Sequence, residues 1–434
     1  MPTDLLPLLE TPSLDAPVAM YRRAFVSARQ FIAQADALAA AFPATEHVVN
    51  LCENRFHFAL AWAAACLREQ LTLLPPNQAR GVLEDLARTY PNQHTVDDDS
   101  MAAAIRDMHA VTATQSAHNW KIHADRIVAL TFTSGSTGMP QAHPKTWRTL
   151  CVNARLACAG VLGGVGSHIV ATVPAQHVYG LETSLISAFS AGCFVYDDKP
   201  FFPQDVRAAL AAIPEPRTLV TTPTHLKALI DSQVRLPPLN RIVSATAPLA
   251  IDLAQRIEDA WSTQLYEIYG CTEAGVMARR RTARSEQWET FPGGTIVHTD
   301  TGPQYRAAQL PDAVPLQDLI ESESETRFSL RGRAADMIKV AGKRTSLQEI
   351  TRHLLAVPGV VDAAVFVPEP DARPVALVVA PEVSPAQILT QLGERIEAVF
   401  LPRPLLRVER LPRNDVGKLP REALLALWAE HRKS

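Results

Sequence analysis

Six consecutive small residues, Thr133, Ser134, Gly135, Ser136, Thr137 and Gly138, follow the apolar run Ile127-Val-Ala-Leu-Thr-Phe132 and precede Met139-Pro140. Small side chains let backbone N–H groups converge, and the hydroxyls add further donors. Such a nest binds a polyphosphate. It is not a Walker A loop, because G-x-x-x-x-G-K-[ST] is absent. A Ser/Thr/Gly turn on the surface has the same composition, so this segment alone leaves both readings open. Near the other end of the chain a single lysine, Lys418, follows Asp415-Val-Gly417. On a turn, its ammonium could swing onto a phosphate whose charge rises during reaction, or it could be an exposed loop lysine. Between the two lie Tyr269-Gly-Cys-Thr-Glu273 and Gly332-Arg-Ala-Ala-Asp-Met-Ile-Lys-Val-Ala-Gly342.

The segments that must hold these residues alternate in type. Ser27 to Phe42 is Ala-rich and places Phe31, Ile32, Ala35, Leu38 and Phe42 at near-helical spacing. His47 to Cys52 reads as a strand, Phe56 to Arg68 as a buried helix, and Leu71 to Leu74 as a short buried strand stopped by Pro75-Pro76. Strand patterns recur at 126–132, 168–173, 218–222 and 241–244. Helix and strand in turn predict a layered α/β fold with parallel strands. From about 276 to 330 the pattern changes to short strands and turns that close a large domain, residues 1–333. A smaller α+β domain, 334–434, then shows helices near 346–356, 385–399 and 422–431, and strands at 360–367 and 375–380.

With Leu411-Pro-Arg-Asn-Asp-Val-Gly-Lys-Leu-Pro-Arg421, the four segments resemble, in order, the motifs of the adenylate-forming superfamily of acyl-CoA synthetases, peptide-synthetase adenylation domains and firefly luciferase. Weaker matches are Val173-Pro-Ala-Gln-His-Val-Tyr-Gly180, Thr222-Pro-Thr-His225 and Ser244-Ala-Thr-Ala-Pro-Leu249. The resemblance implies a reaction in which a carboxylic acid attacks the α-phosphate of ATP, pyrophosphate leaves, and the acyl group passes from acyl-AMP to a thiol. It implies that Thr133 to Gly138 hold the leaving phosphates, Thr272 meets the α-phosphate, and Glu273 binds Mg²⁺. It implies that Tyr269 packs on adenine, that Ala245, Thr246 and Ala247 line the ATP site, and that Asp318 and Arg333 reach the ribose. Lys418 would be the main catalytic residue. The small domain would be mobile, pivoting at Ala335 and Asp336, with the loop around Gly342 admitting the thiol. Two positions depart from the family pattern. The usual lysine after the phosphate-loop proline is Gln141 here, with Lys145 the candidate to supply the missing charge, and the pivot Asp or Lys is Ala335.

For the acid, the resemblance implies that His177, Tyr179, Gly180 and Gly270 face the acyl group, with His177 also a candidate catalytic residue or else a packed histidine. Relatives that activate amino acids hold the α-ammonium with an aspartate. The segment Tyr179-Gly-Leu-Glu-Thr-Ser184 has none at the usual place. Glu182 is expected to accept a hydrogen bond from a phenol. Leu73-Leu-Pro-Pro-Asn77, Gln176-His-Val-Tyr-Gly-Leu-Glu182 and Gly342-Lys-Arg-Thr-Ser-Leu347 resemble the compact stand-alone ligases of aryl-polyene and xanthomonadin pigment pathways, which implies a 3- or 4-hydroxybenzoate and an acyl carrier protein. Coenzyme A is the alternative acceptor, and a medium-chain fatty acid the alternative substrate. A non-catalytic nucleotide sensor on the same fold is the competing class. Gln141 and Ala335 favour it, while Glu273, Arg333 and Lys418 oppose it.

Bulk properties bound these readings. The 434 residues are 47% hydrophobic and 20% charged, enough for large buried cores. A net charge of -3 provides no basic field for nucleic acid. Six scattered cysteines without a C-x-x-C pair read as reduced thiols of a cytoplasmic protein. The opening residues lack a signal-peptide pattern, and Phe58 to Leu67 is too short to span a bilayer, so no membrane insertion is expected.

Overall fold

A computed structural model describes residues 4–107, 120–133, 141–333, 336–340, 343–369, 372–414 and 417–432. The chain forms two compact units, a large one of residues 1–294 with 306–314, and a small one of 295–305 with 315–434. The expected domain boundary after Arg333 therefore falls within the small unit.

The large unit is built on two sheets. In a five-stranded sheet, Gln93–Val96, His47–Asn50, Leu71–Leu74 and Ile127–Thr133 run parallel, and Gln141–Thr146 pairs antiparallel with Ile127–Thr133. The second sheet has a parallel centre, ordered Gln264–Cys271, Arg241–Ser244, Arg217–Thr221, His168–Ala171, Phe194–Val195 and Pro17–Tyr21. Gly275–Arg280 folds back antiparallel on Gln264–Cys271. These central strands carry Val, Ile and Leu on both faces, as doubly covered parallel strands do.

Local chemistry sets the helices that cover them. Ala28–Ala41 starts from a capping box in which the Ser27 hydroxyl and the Gln30 amide satisfy each other's backbone donors. Arg55–Leu67 is capped by the Asn54 side chain and is buried on every face from Arg55 to Cys66, as a helix apolar all round must be. Two short π-helical stretches, Cys158–Leu162 and Leu181–Ile186, have no counterpart in the sequence reading. One added residue per turn leaves no periodic trace in so short a segment.

In the small unit, Asp318–Ser322 pairs antiparallel with Arg327–Arg333, and Met337–Val340 with Lys343–Ser346. A three-stranded sheet of Asp362–Phe366, Val375–Val379 and Leu405–Arg407 follows. Alternation along its middle strand sends Ala376 and Val378 to a core shared with helices Leu347–Leu355 and Pro385–Gly393. Val375 and Leu377 face a second core shared with Trp428 of the last helix, Arg421–His431. Among the described residues, no helix is long and apolar enough to cross a membrane.

Candidate active site

In open α/β sheets, ligands bind beyond the carboxyl ends of parallel strands. The expected residues of the large unit emerge there. Thr133 ends one strand of the first sheet. In the second sheet, Ala245 to Ala247 follow Arg241–Ser244, residues 172–180 follow His168–Ala171, and Gly270 to Glu273 end or follow Gln264–Cys271. A cavity of about 700 Å³ lined by Leu229, Val234, Leu239 and Trp261 lies instead where helices re-enter the strands at their amino ends, away from these residues.

The turn that carries Thr272 and Glu273 depends on two close backbone approaches. A Cβ on Gly270 would lie 2.3 Å from the Gly275 carbonyl oxygen. Gly275 has φ of +76°, and a Cβ there would lie 2.2 Å from both Glu182 and Asn153. Glu273 is exposed on this turn, and Thr272 is partly exposed. Beside them, His143 Nε2 lies 2.9 Å from the Thr133 hydroxyl, while Nδ1 stands 3.8 Å from the Glu273 carboxylate. The second distance is an electrostatic contact, not a hydrogen bond. Burial holds the His143 imidazole below its usual pKa range.

Two candidate side chains are engaged inside the protein. Lys145 is one of them. It is 1% exposed, and its ammonium donates to the backbone carbonyls of Thr272 and, at 3.1 Å, Glu273. Burial pushes its pKa down, opposed first by Glu182. Glu182 is the other. It is fully buried, accepts from Asn153 Nδ2 at 2.8 Å and Val276 N–H at 3.0 Å, and is pushed by burial up to about 7. Tyr179 likewise directs its hydroxyl inward, 3.1 Å from the Thr221 carbonyl and 2.9 Å from that of Val243. This leaves the ring, rather than the hydroxyl, as its contribution to a pocket wall. His177 is partly exposed and precedes the short helical turn Val178–Gly180. Gly180 is obligatory, because a Cβ would lie 2.1 Å from the Pro174 carbonyl oxygen.

Thr246 holds φ of +79°, an outlier for a β-branched residue. Such strain persists only where the surroundings impose it. Glu267, which the sequence reading passed over, supplies one anchor. Its buried carboxylate accepts from Leu249 N–H at 3.1 Å, from Arg280 at 2.8 and 2.7 Å, and from the Thr282 hydroxyl at 2.8 Å. The loop from 244 to 249 is thereby tied down at its far end. Tyr269 lies 5.7 Å, centroid to centroid, from the buried Trp288 ring.

The remaining candidates belong to the small unit. Strand register sets Asp318 directly across from Arg333, so the two residues expected at the ribose are cross-strand partners. Asp336 lies just before Met337–Val340. Gly417, with φ of +76°, donates its N–H to the Asn414 carbonyl, and Lys418 N–H donates to the Asn414 side chain at 2.8 Å. Arg413 fixes the same turn through Asp362 at 2.6 and 2.7 Å and through the Gly417 carbonyl at 2.6 Å. Lys418 is exposed on it. Ser134 to Gly138, Ala335 and Gly342 lie outside the described residues.

The chain matches the AMP-binding enzyme family over residues 40–301 and the C-terminal domain of AMP-binding enzymes over 349–418, and it belongs to that family. It is 29% identical to a 4-coumarate–CoA ligase of Halorhodospira halophila, over 77% of this chain and 84% of the relative. A 3,4-dihydroxybenzoate–[aryl-carrier protein] ligase of Bacillus anthracis is 21% identical over 68% of this chain and 73% of the relative. Among solved structures, the anthranilate CoA ligase AuaEII with anthranoyl-AMP superposes with a TM-score of 0.81 at 19% identity, covering 97% of this chain and 95% of that one. The protein is an ATP-dependent, AMP-forming acid–thiol ligase.

Mg²⁺ fits the donor set at the turn. The ion commonly takes one or two protein carboxylates and completes its shell with phosphates and water, and Glu273 is an exposed carboxylate next to Thr272 and 3.8 Å from His143, whose other ring nitrogen meets Thr133. When bound, it would offset charge on the phosphate oxygens.

Proposed function

We propose that the acid is a 3- or 4-hydroxybenzoate and that the acceptor is the phosphopantetheine thiol of an acyl carrier protein, in a cytoplasmic aryl-polyene or xanthomonadin type of pigment pathway. The observation that argues against an amino acid is the state of Glu182. With both carboxylate oxygens occupied by Asn153 and Val276, it offers no partner to the ammonium of an amino acid. The Tyr179 ring, anchored through its hydroxyl, and the partly exposed His177 suit a flat, short acid. The names of the similar ligases, for 4-coumarate and 3,4-dihydroxybenzoate, support an aryl acid.

In this reading the backbone and hydroxyls of 133–138 hold the leaving phosphates, and Thr272 meets the α-phosphate. Glu273 ligates Mg²⁺, and Asp318 and Arg333 take the ribose. Tyr269 and residues 245–247 enclose the adenine side. Lys418 brings its ammonium to the α-phosphate and the attacking carboxylate, where negative charge accumulates. The residues from 334 form a lid whose pivot is at Ala335 and Asp336. A second reading, coenzyme A as acceptor, is favoured by the name of the 29% identical relative.

The test is substrate-dependent ATP–pyrophosphate exchange with benzoate, 3-hydroxybenzoate, 4-hydroxybenzoate, cinnamate and octanoate, followed by thioester formation with carrier protein or coenzyme A. A hydroxybenzoate is expected to give the highest kcat/KM. Preference for octanoate would end the aryl reading, and faster transfer to coenzyme A would replace the carrier protein.

A further inference from the structure

Three polar side chains from three different elements converge beneath the turn 270–276. Lys145 comes from the strand Gln141–Thr146, Asn153 from the helix Trp147–Ala157, and Glu182 from the π-helical stretch Leu181–Ile186. All three are essentially inaccessible to solvent. Between them they engage the turn at almost every residue after Cys271. Lys145 donates to the carbonyls of Thr272 and Glu273, Asn153 Nδ2 to the carbonyl of Ala274 at 2.9 Å, and Glu182 accepts from Val276 N–H. Asn153 Nδ2 also donates to Glu182, and Asn153 Oδ1 accepts from Gln309 at 3.0 Å, so the set is cross-linked and anchored from behind.

Burial of an ammonium and a carboxylate costs several kcal/mol each, and apolar residues of similar size would fill the space at lower cost. Turns are ordinarily held by their own backbone and solvent. Here the carbonyls of Thr272 and Glu273 point into the protein, toward the Lys145 side-chain nitrogen, and the amide of Val276 points toward the Glu182 carboxyl. Gly275 completes the fit, since its missing side chain is the space that Glu182 and Asn153 occupy. A turn with its backbone polar groups locked from within has few ways to rotate, and its two outward residues, Thr272 and Glu273, inherit that rigidity.

We infer that Lys145, Asn153 and Glu182 form a buried polar cradle that positions Thr272 and Glu273 for the adenylation half-reaction. The inference rests on the proposed roles of those two residues. The cradle residues touch neither nucleotide nor acid in this scheme. They are positioning residues, and Lys145 acts in place by orienting backbone rather than by adding charge to the phosphate loop.

The experiment compares the wild-type protein with Lys145→Met and with the double variant Lys145→Met/Glu182→Gln. Pyrophosphate exchange gives kcat and the KM of the acid, amide hydrogen exchange reports on peptides covering 270–276, and thermal unfolding reports on the whole fold. In Lys145→Met, kcat is expected to fall between about 10- and 100-fold with the acid KM little changed, and the turn amides to exchange faster while the rest of the protein keeps its protection. The double variant removes the buried charge together with its counter-charge. It is expected to regain thermal stability without regaining kcat. Recovery of kcat in the double variant would overturn the inference, because charge compensation alone would then explain the single variant. Unchanged kcat in either variant, or a fall in kcat with the turn amides still protected, would overturn it too. Should Lys145→Met fail to fold, the double variant decides. Absence of pyrophosphate exchange in the wild type with every acid would count against the proposed function, whereas the amide-exchange arm would still judge the cradle, and wild-type protection of 270–276 in both variants would reject it.

Discussion

Lys418 follows a glycine in the left-handed region, and that backbone, fixed by Asn414 and Arg413, sets the lysine at the outer edge of its turn. Lys418→Ala is expected to lower adenylation by about 10²–10³-fold, the cost of losing one charge-stabilising contact in a transition state, while ATP binding persists. Pyrophosphate exchange near the wild-type rate would remove the assignment. Glu182 carries a different consequence. Its folded pKa, about 7, lies above the ordinary value of 4.5. As pH rises from about 4.5 to about 7, the unfolded chain releases the proton before the folded chain does, so this group's contribution to stability declines across that window and is flat above it. The span is on the order of 3 kcal/mol. The difference in unfolding free energy between wild type and Glu182→Gln should therefore change across that window, and a constant difference would show that Glu182 titrates normally. The role first expected of Glu182 illustrates what a sequence carries at this scale. The small-residue run from Thr133, Tyr269-Gly-Cys-Thr-Glu273 and the Gly-Lys pair are contiguous, so a local window is enough to single them out as candidates. Whether an acid faces a pocket or the core depends on Asn153 and Val276, and neither is near Glu182 in the chain.

Among the elements, the antiparallel return from Gln264–Cys271 to Gly275–Arg280 matters most, because its turn holds Thr272 and Glu273. Gly275→Ala would place a methyl group against Glu182 and Asn153 in a backbone conformation that disfavours side chains. A loss of roughly 2–4 kcal/mol is expected from the combined strain and crowding. Gly164 provides the comparison. Its φ is +92°, but nothing lies within 4 Å of an added Cβ, so Gly164→Ala should show only the smaller backbone cost. Urea unfolding of the two variants separates the terms, and equal losses would mean that the contact with the cradle is unimportant. Elements with strong periodicity or clear caps, such as Ala28–Ala41 with Ser27, were legible in the sequence. So were the apolar strands at 71–74 and 241–244. The strand Gln141–Thr146 was not, since His143, Pro144 and Lys145 argue against a buried strand locally. Its inward positions are polar because they meet Thr133 and the turn, a tertiary reason that no local window contains.

For the whole chain, the alternation of helix and strand announced an α/β protein with a large and a small part, and the structure agrees. The compact division, however, groups 295–305 and 315–333 with the C-terminal residues, and the strand Arg327–Arg333 lies against Lys343–Ser346 and Leu347–Leu355. The pivot is a separate matter from compactness, and its proposed place is Ala335, just after the strand that ends at Arg333. An adenylating ligase runs two half-reactions with different demands. In the proposed scheme one needs the Lys418 turn at the nucleotide and the other must open a path for a thiol, so a lid that serves both has to adopt two arrangements. A proline fixes its own φ near −65° and restricts the residue before it, here Ala334. Ala335→Pro should then favour whichever arrangement tolerates that backbone, and the two half-reactions should suffer unequally. Pyrophosphate exchange measures the first. Thioester formation from preformed acyl-AMP measures the second. The expected ratio of the two losses is on the order of tenfold or more, the scale of about 1.4 kcal/mol of bias between two poses. Comparable loss in both reactions, in a variant with wild-type thermal stability, would place the pivot elsewhere, with Asp336 the next position to test.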